Sequence, residues 1–155
     1  KGMTVAENFI LNTYHLEPFS SRGVLNRAAI AVAAEKAVRD FDVRTPSIDT
    51  DIANLSGGNQ QKVIVAREFS RGVKLVIAAQ PTRGLDVGSI EYIHRRIVEQ
   101  RDAGAAVLIV STELDEVLAL GDRVAVMYEG RVVGLLASTP ATRERVGLLM
   151  GGIQK

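Results

Sequence analysis

The chain has 155 residues, 46% of them hydrophobic but only 5% aromatic, with 19 basic residues against 18 acidic and no cysteine. These values fit one compact soluble domain built mostly on aliphatic side chains. A net charge of +1 offers no concentrated basic face for neutralising nucleic-acid phosphates, so no nucleic-acid partner is expected; the absence of Cys excludes disulfides, iron–sulfur clusters, thiolate zinc sites and a thiol nucleophile.

Apolar runs such as residues 28–34 and 103–110 fall far short of the roughly 20 residues that a membrane-spanning helix needs, and nothing resembles a charged-then-apolar leader. Thr4 and Glu7 have capping-box spacing, which predicts a helix over roughly residues 4–13. Residues 18–23 read as a loop. After a possible cap at Asn26, Ile30, Ala34, Ala37 and Phe41 recur at helical spacing and predict a second, amphipathic helix. Residues 42–54 mix Pro, Asp, Thr and Ser without a period and read as a connection.

Beyond Leu55 the pattern changes. Residues 74–79, 105–110 and 123–128 are short apolar runs without alternation, as expected of strands covered on both faces. Helical stripes lie between them, Ile90, Ile93 and Ile97 in one and Leu114, Val117 and Leu118 in the next. That alternation predicts parallel strands joined by right-handed crossovers. Tyr128-Glu-Gly-Arg131 predicts a hairpin, and Thr139-Pro140 precedes a terminal helix reaching Met150.

Most isolated polar residues read as structural. His15 and His94 lack metal-ligand spacing and no metal site is predicted. Asp115 and Glu116 suit an acidic first helical turn, Arg95 and Arg96 a solvated helix face, and Arg83 a turn as readily as a ligand contact.

One octapeptide departs from this background. Leu55-Ser-Gly-Gly-Asn-Gln-Gln-Lys62 leads into an apolar helical stretch, 63–69. Ser and two glycines at a helix start place unpaired N–H groups where an anion can approach, and glycine lets the backbone come within hydrogen-bonding distance. The octapeptide resembles the signature motif of ABC-type ATPases, in the form found in importers of simple sugars and nucleosides. Leu75-Val-Ile-Ala-Ala-Gln-Pro-Thr-Arg-Gly-Leu-Asp86 resembles that family's Walker B strand and D-loop. Val110-Ser-Thr-Glu113 resembles its switch region, and Met3-Thr-Val-Ala-Glu-Asn8 the start of its helical subdomain.

The resemblance implies an α/β fold: a partial P-loop NTPase (ABC ATPase) domain with parallel core strands, a helical subdomain over 1–54, and over 55–155 the signature helix and later ATP-binding core with a C-terminal hairpin. None of the five lysines follows a glycine, so no Walker A motif is present; neither is a Q-loop. Ala79, Gln80 and Thr112 stand where the family has Asp, Glu and His. Alanine offers no oxygen to Mg²⁺, and glutamine cannot take a proton as a carboxylate does.

These departures resemble the degenerate second half of a tandem importer ATPase, and the chain is expected to be a fragment of one. By the same resemblance, Ser56, Gly57, Gly58 and Asn59 would complete an ATP site whose P-loop belongs to the first nucleotide-binding domain of the same protein. Asp86 would lie across the dimer interface. No catalytic residue is expected in the chain's own site. ATP and Mg²⁺ are expected in the intact protein and neither in the fragment, which is expected to be inactive alone. Permease subunits, and indirectly a solute-binding protein, would be partners at the cytoplasmic face of a bacterial membrane. Two alternatives are a soluble non-transport ABC protein and an inert regulatory module.

Overall fold

The computed structural model of the chain describes residues 2–153, which divide into two compact units. One comprises the chain up to Lys74 together with Thr82–Ala105; the other comprises Leu75–Pro81 and the chain from Ala106 onward.

The first unit is mainly helical. Thr4 and Glu7 form the reciprocal capping box, and helix α1 follows over Val5–Phe9. It is shorter than the predicted 4–13. Val5 and Ala6 donate to the carbonyls of Thr50 and Ile48, and Thr4 pairs with Asp51, so tertiary pairing fixes the helix start. Past Ile10, the stretch containing Asn12 and Thr13 continues as turns, in keeping with the weak helix preference of Asn and Thr. The predicted loop at 18–23 holds part of a miniature hairpin, β1 (Ser20–Ser21) with β2 (Val24–Leu25), turned by Arg22 and Gly23 at φ 50° and 79°.

Asn26 caps α2 (Arg27–Asp40) as expected, and Ile30, Ala34 and Ala37 form its buried stripe. Ala6, Ile10, Ile30 and Ala34 make a core cluster flanked by Phe9, Phe19 and Ile48. The 42–54 connection contains a 3₁₀ turn at Ile52–Asn54 and delivers the chain to α3 (Gly57–Phe69). Helix α4 (Val87–Asp102) buries Tyr92, Ile93 and Ile97.

The second unit pairs β3 (Leu75–Ala79) with β4 (Ala106–Val110) in parallel, from Leu75↔Ala106 to Ala79↔Val110. After α5 (Leu114–Leu120), β5 (Arg123–Tyr128) and β6 (Arg131–Ala137) form an antiparallel pair with the predicted turn at Glu129-Gly130. The terminal helix α6 (Arg143–Met150) sets Val146 and Leu149 against Val124 and Val126. Gly134 permits the close approach: a Cβ there would lie 2.6 Å from Leu149 Cδ1.

Two strand expectations are corrected here. The third apolar run is not a further parallel strand, because β5 takes β6 as its partner. Nor are the strands covered on both faces. In β5 Val124 and Val126 are buried while Ala125 and Met127 are exposed, and Ile77 in β3 and Leu108 in β4 are 64% and 52% exposed. A continuous apolar run specifies a strand without specifying what lies over each face.

Candidate functional site

The octapeptide 55–62 forms the entry and first turns of α3. Ser56 is the N-cap, with extended backbone (φ −62°, ψ 154°), and its Oγ accepts from the Asn59 backbone N–H at 3.4 Å and from Asn59 Nδ2 at 3.0 Å. The other end of the Asn59 amide accepts the backbone N–H of Arg44 at 2.8 Å. A backbone N–H can only donate, which fixes the amide oxygen toward residue 44 and the NH₂ group toward Ser56. The side chain of Gln60 reaches back to the carbonyl of Leu55 at 2.8 Å. Ser56 and Gly57 are exposed, whereas Gly58 is buried.

Gly58 is buried against the start of α4. A Cβ at this position would stand 2.3 Å from Ser89 Oγ and 3.4 Å from Asp86 Oδ2, so the two helix starts approach at a distance only glycine allows. Asp86 is the N-cap of α4, accepting from the Ser89 N–H at 3.0 Å and the Ser89 hydroxyl at 2.8 Å. Those bonds hold its carboxyl below the usual carboxylate range. The turn at 56–58 and Asp86 are therefore brought together at two adjacent helix starts. The first N–H groups of a helix have no intrahelical acceptor, so the exposed Ser56–Gly57 end of α3 can receive an anion.

Further along α3, the signature's final residue is buried. Lys62 is 8% exposed and donates to the Asp42 carbonyl at 2.8 Å and to Asp42 Oδ2 at 2.7 Å. Its ammonium lies 4.6 Å from the centre of the Tyr92 ring on α4. The hydrogen bond from Lys62 pulls the Asp42 carboxyl down, and burial pushes the Tyr92 phenol up. Arg96 corrects a sequence expectation. It is no solvated face residue: its guanidinium lies 4.1 Å from the Phe41 ring, and it donates to Tyr92 Oη at 3.1 Å and the Asp40 carbonyl at 2.6 Å. Arg95, by contrast, is exposed. Sequence reasoning missed this cationic–aromatic cluster; the i,i+4 spacing of Tyr92 and Arg96 on α4 was its one local signal.

In the second unit, Ala79 ends β3 and pairs with Val110, and Gln80 follows with its N–H on the Val110 carbonyl at 2.7 Å. Gln80 is in the left-handed region at φ 49°. The Thr112 hydroxyl donates to Gln80 Oε1 at 3.4 Å, so two of the three departing positions touch each other. No carboxylate is supplied by Ala79, Gln80 or Thr112, and this set does not fit a divalent cation. Among the described residues there is no group of three or more His, Cys, Asp or Glu that could hold a metal. His15 is exposed, edge-on to Tyr14 at 5.4 Å between ring centres, and His94 is half-buried on α4.

The first unit also carries an open groove of about 720 Å³. All four phenylalanines of the chain line it, Phe9, Phe19, Phe41 and Phe69, with Lys36 and Arg67 among the charged residues.

A dimeric ATP-binding cassette, MJ0796, in a post-hydrolysis state bound to ADP and Pi, superposes with a TM-score of 0.71 at 23% identity, over 88% of this chain and 57% of that one. The ATP-binding cassette MJ1267 superposes with a TM-score of 0.69 over 96% of this chain and 59% of that one. The fold is thus that of an ABC ATPase cassette, represented in part.

Among curated sequences, the chain is 48% identical over 148 residues to the guanosine import ATP-binding protein NupO of Bacillus subtilis (strain 168), covering 96% of this chain and 29% of NupO. It is 48% identical over 150 residues to the nucleoside import ATP-binding protein NupA of Lactococcus lactis subsp. cremoris (strain MG1363), covering 97% of this chain and 30% of NupA. No family model matches. By sequence the chain is similar to import ATP-binding proteins for nucleosides and sugars, and it spans less than a third of the length of NupO and NupA.

Proposed function

We propose that this chain is the later part of a nucleotide-binding domain in the ATP-binding subunit of a nucleoside or simple-sugar importer. In that subunit it contributes Ser56, Gly57, Gly58 and Asn59 to an ATP site shared with the first nucleotide-binding domain. The observation that carries the reading is the contrast between two sets of residues. The α3 start is exposed and capped by Ser56, while Ala79, Gln80 and Thr112 supply no carboxylate to serve as a cation ligand or a base. ATP with Mg²⁺ would bring the phosphoryl group to be hydrolysed. Ser56 and the first α3 amides would bind phosphate oxygens, and Asp86 would hold the adjoining helix start in place. The chain alone would lack both a phosphate-cradling loop and a general base, and is inactive in this reading.

Permease chains would receive the work of hydrolysis at the cytoplasmic face of a bacterial membrane. No described helix is long and apolar enough to cross a membrane, which accords with peripheral attachment. The helices before Leu55 would form part of the groove receiving a permease coupling helix, and the phenylalanine-lined groove in the first unit suits an apolar docking segment.

Two variants of the intact subunit test the site. Ser56→Arg places a long cation where a small hydroxyl meets phosphate and is expected to abolish ATPase activity, whereas Gln80→Ala is expected to change it only modestly. Equal losses from both refute the assignment. Calorimetry on the 155-residue chain should detect no tight Mg-ATP binding.

A further inference from the structure

The signature's last residue, Lys62, lies six residues beyond the Ser56 cap and is buried. Its three contacts join three separate stretches of the first unit: α3 itself, the Asp42 segment that follows α2, and the Tyr92 ring of α4. Asn59, one turn earlier on α3, grips the same 42–44 segment through Arg44. Asp42 itself is held at φ 48°, the left-handed region that side-chain-bearing residues seldom enter, and its carbonyl and carboxylate both face Lys62. A buried ammonium needs its hydrogen bonds satisfied, and here one carbonyl, one carboxylate and one aromatic face do so together. That set ties α3 to the Asp42 segment and to α4.

Along the same helix pair, about one turn toward the N-termini, Gly58 meets Ser89 and Asp86. There is no slack at that point, because a single added carbon would overlap Ser89 Oγ. A small rotation of α3 would therefore be transmitted directly to the relation between the signature turn and the D-loop cap.

We infer that Lys62 is a positioning residue that registers the signature helix against the D-loop helix by bridging Asp42 and the Tyr92 ring, so that Ser56 and Asp86 are presented together. This rests on the functional reading above. It assigns Lys62 no contact with ATP. The lowered Asp42 carboxyl is consistent with a charge-assisted bridge that persists at neutral pH.

The test uses the intact subunit carrying Lys62→Met, which keeps the length and removes the charge, and Lys62→Arg, which restores a cation and donors. Displacing a preorganised group costs about 10- to 100-fold in turnover. Lys62→Met is therefore expected to lower kcat by about tenfold while KM for ATP stays within about twofold and the melting temperature falls by no more than about 2–4 °C. Hydrogen exchange should quicken at the amides of residues 57–62, and Lys62→Arg should recover most of the kcat. Should Lys62→Met fail to fold, Asp42→Gly decides the matter, since glycine suits the left-handed backbone while removing the carboxylate; it should reproduce the faster exchange and lower kcat.

Wild-type kcat and wild-type exchange in these variants overturn the inference. So does a loss of kcat that tracks a fall in melting temperature and is not recovered by Lys62→Arg. If Ser56→Arg leaves the same subunit active, the underlying reading fails; if Ser56→Arg abolishes activity while Lys62→Met and Asp42→Gly are silent, only the role of Lys62 fails.

Discussion

Replacing Gly58 by alanine tests the closest contact in the signature region. The new Cβ would stand 2.3 Å from Ser89 Oγ and 3.2 Å from Ser89 Cβ. The hydroxyl can rotate away, but only by giving up its 2.8 Å bond to Asp86, and the Cβ beneath it belongs to the first turn of α4. Overpacking a closed contact costs about 1–3 kcal/mol. The preference of alanine over glycine in a helix returns about 0.5–1 kcal/mol, leaving a net destabilisation of about 1 kcal/mol, or roughly fivefold in a local equilibrium.

Gly57→Ala is the control, because its Cβ would meet only Leu85 Cδ2 at 3.8 Å, an ordinary contact. Native-state hydrogen exchange on the intact subunit measures local opening of α3 directly. Exchange at residues 60–63 should accelerate about fivefold in Gly58→Ala and stay level or slow in Gly57→Ala. Adding Ser89→Ala to Gly58→Ala removes the overlapping oxygen and should return most of the loss. Equal behaviour of the two alanine variants would refute the claim that the helix starts are held apart by less than a methyl group.

Other perturbations follow from the same contacts. Leu149→Ala empties a site 2% exposed between α6 and β5 and should destabilise the second unit by about 2–5 kcal/mol in denaturant titration. Asp42 has its carboxyl below its ordinary 3.8 because Lys62 donates to it, so its contribution is fully present above that pH and is lost as the solution is acidified through the lower folded value. A carbon-13 NMR titration of Asp42 should show a midpoint below 3.8 that moves back toward 3.8 in Lys62→Met. Arg96→Leu removes the bonds to Tyr92 and Asp40 and should loosen the C-terminal end of α2, read as faster exchange at residues 37–41.

What the sequence made legible was local chemistry. The Thr4–Glu7 capping box, the Asn26 cap, the Ile30–Ala34–Ala37 stripe and the Glu129-Gly130 turn all depend on residues a few positions apart, and each stands where its spacing put it. Ser56 as a helix cap was legible for the same reason. Features set by distant partners were not. The start of α1 is fixed by its first amides pairing with Thr50 and Ile48, and it stops at Phe9, beyond which the chain continues as turns through Asn12 and Thr13. The Arg22-Gly23 turn was hidden because arginine at positive φ carries no compositional signal. Lys62 read as the tail of a motif, and only the fold shows that a charged residue at that position is buried between an aspartate and a tyrosine ring. At the Gln80–Thr112 pair, the residue types were legible in the sequence, but their mutual contact across 32 positions needed the structure.

The first unit is discontinuous: the chain leaves it after Lys74 and returns at Thr82. This bears on how the region can be cut for expression or grafting. A piece ending at Lys74 would keep the whole octapeptide yet discard α4, stripping Lys62 of its aromatic neighbour and Gly58 of Ser89. The minimal transplantable element is two strings of residues, rejoined by a linker that replaces the β3 excursion. Any chimera that swaps the signature without the matching α4 start would bring together helix surfaces whose fit is set by the absence of one methyl group.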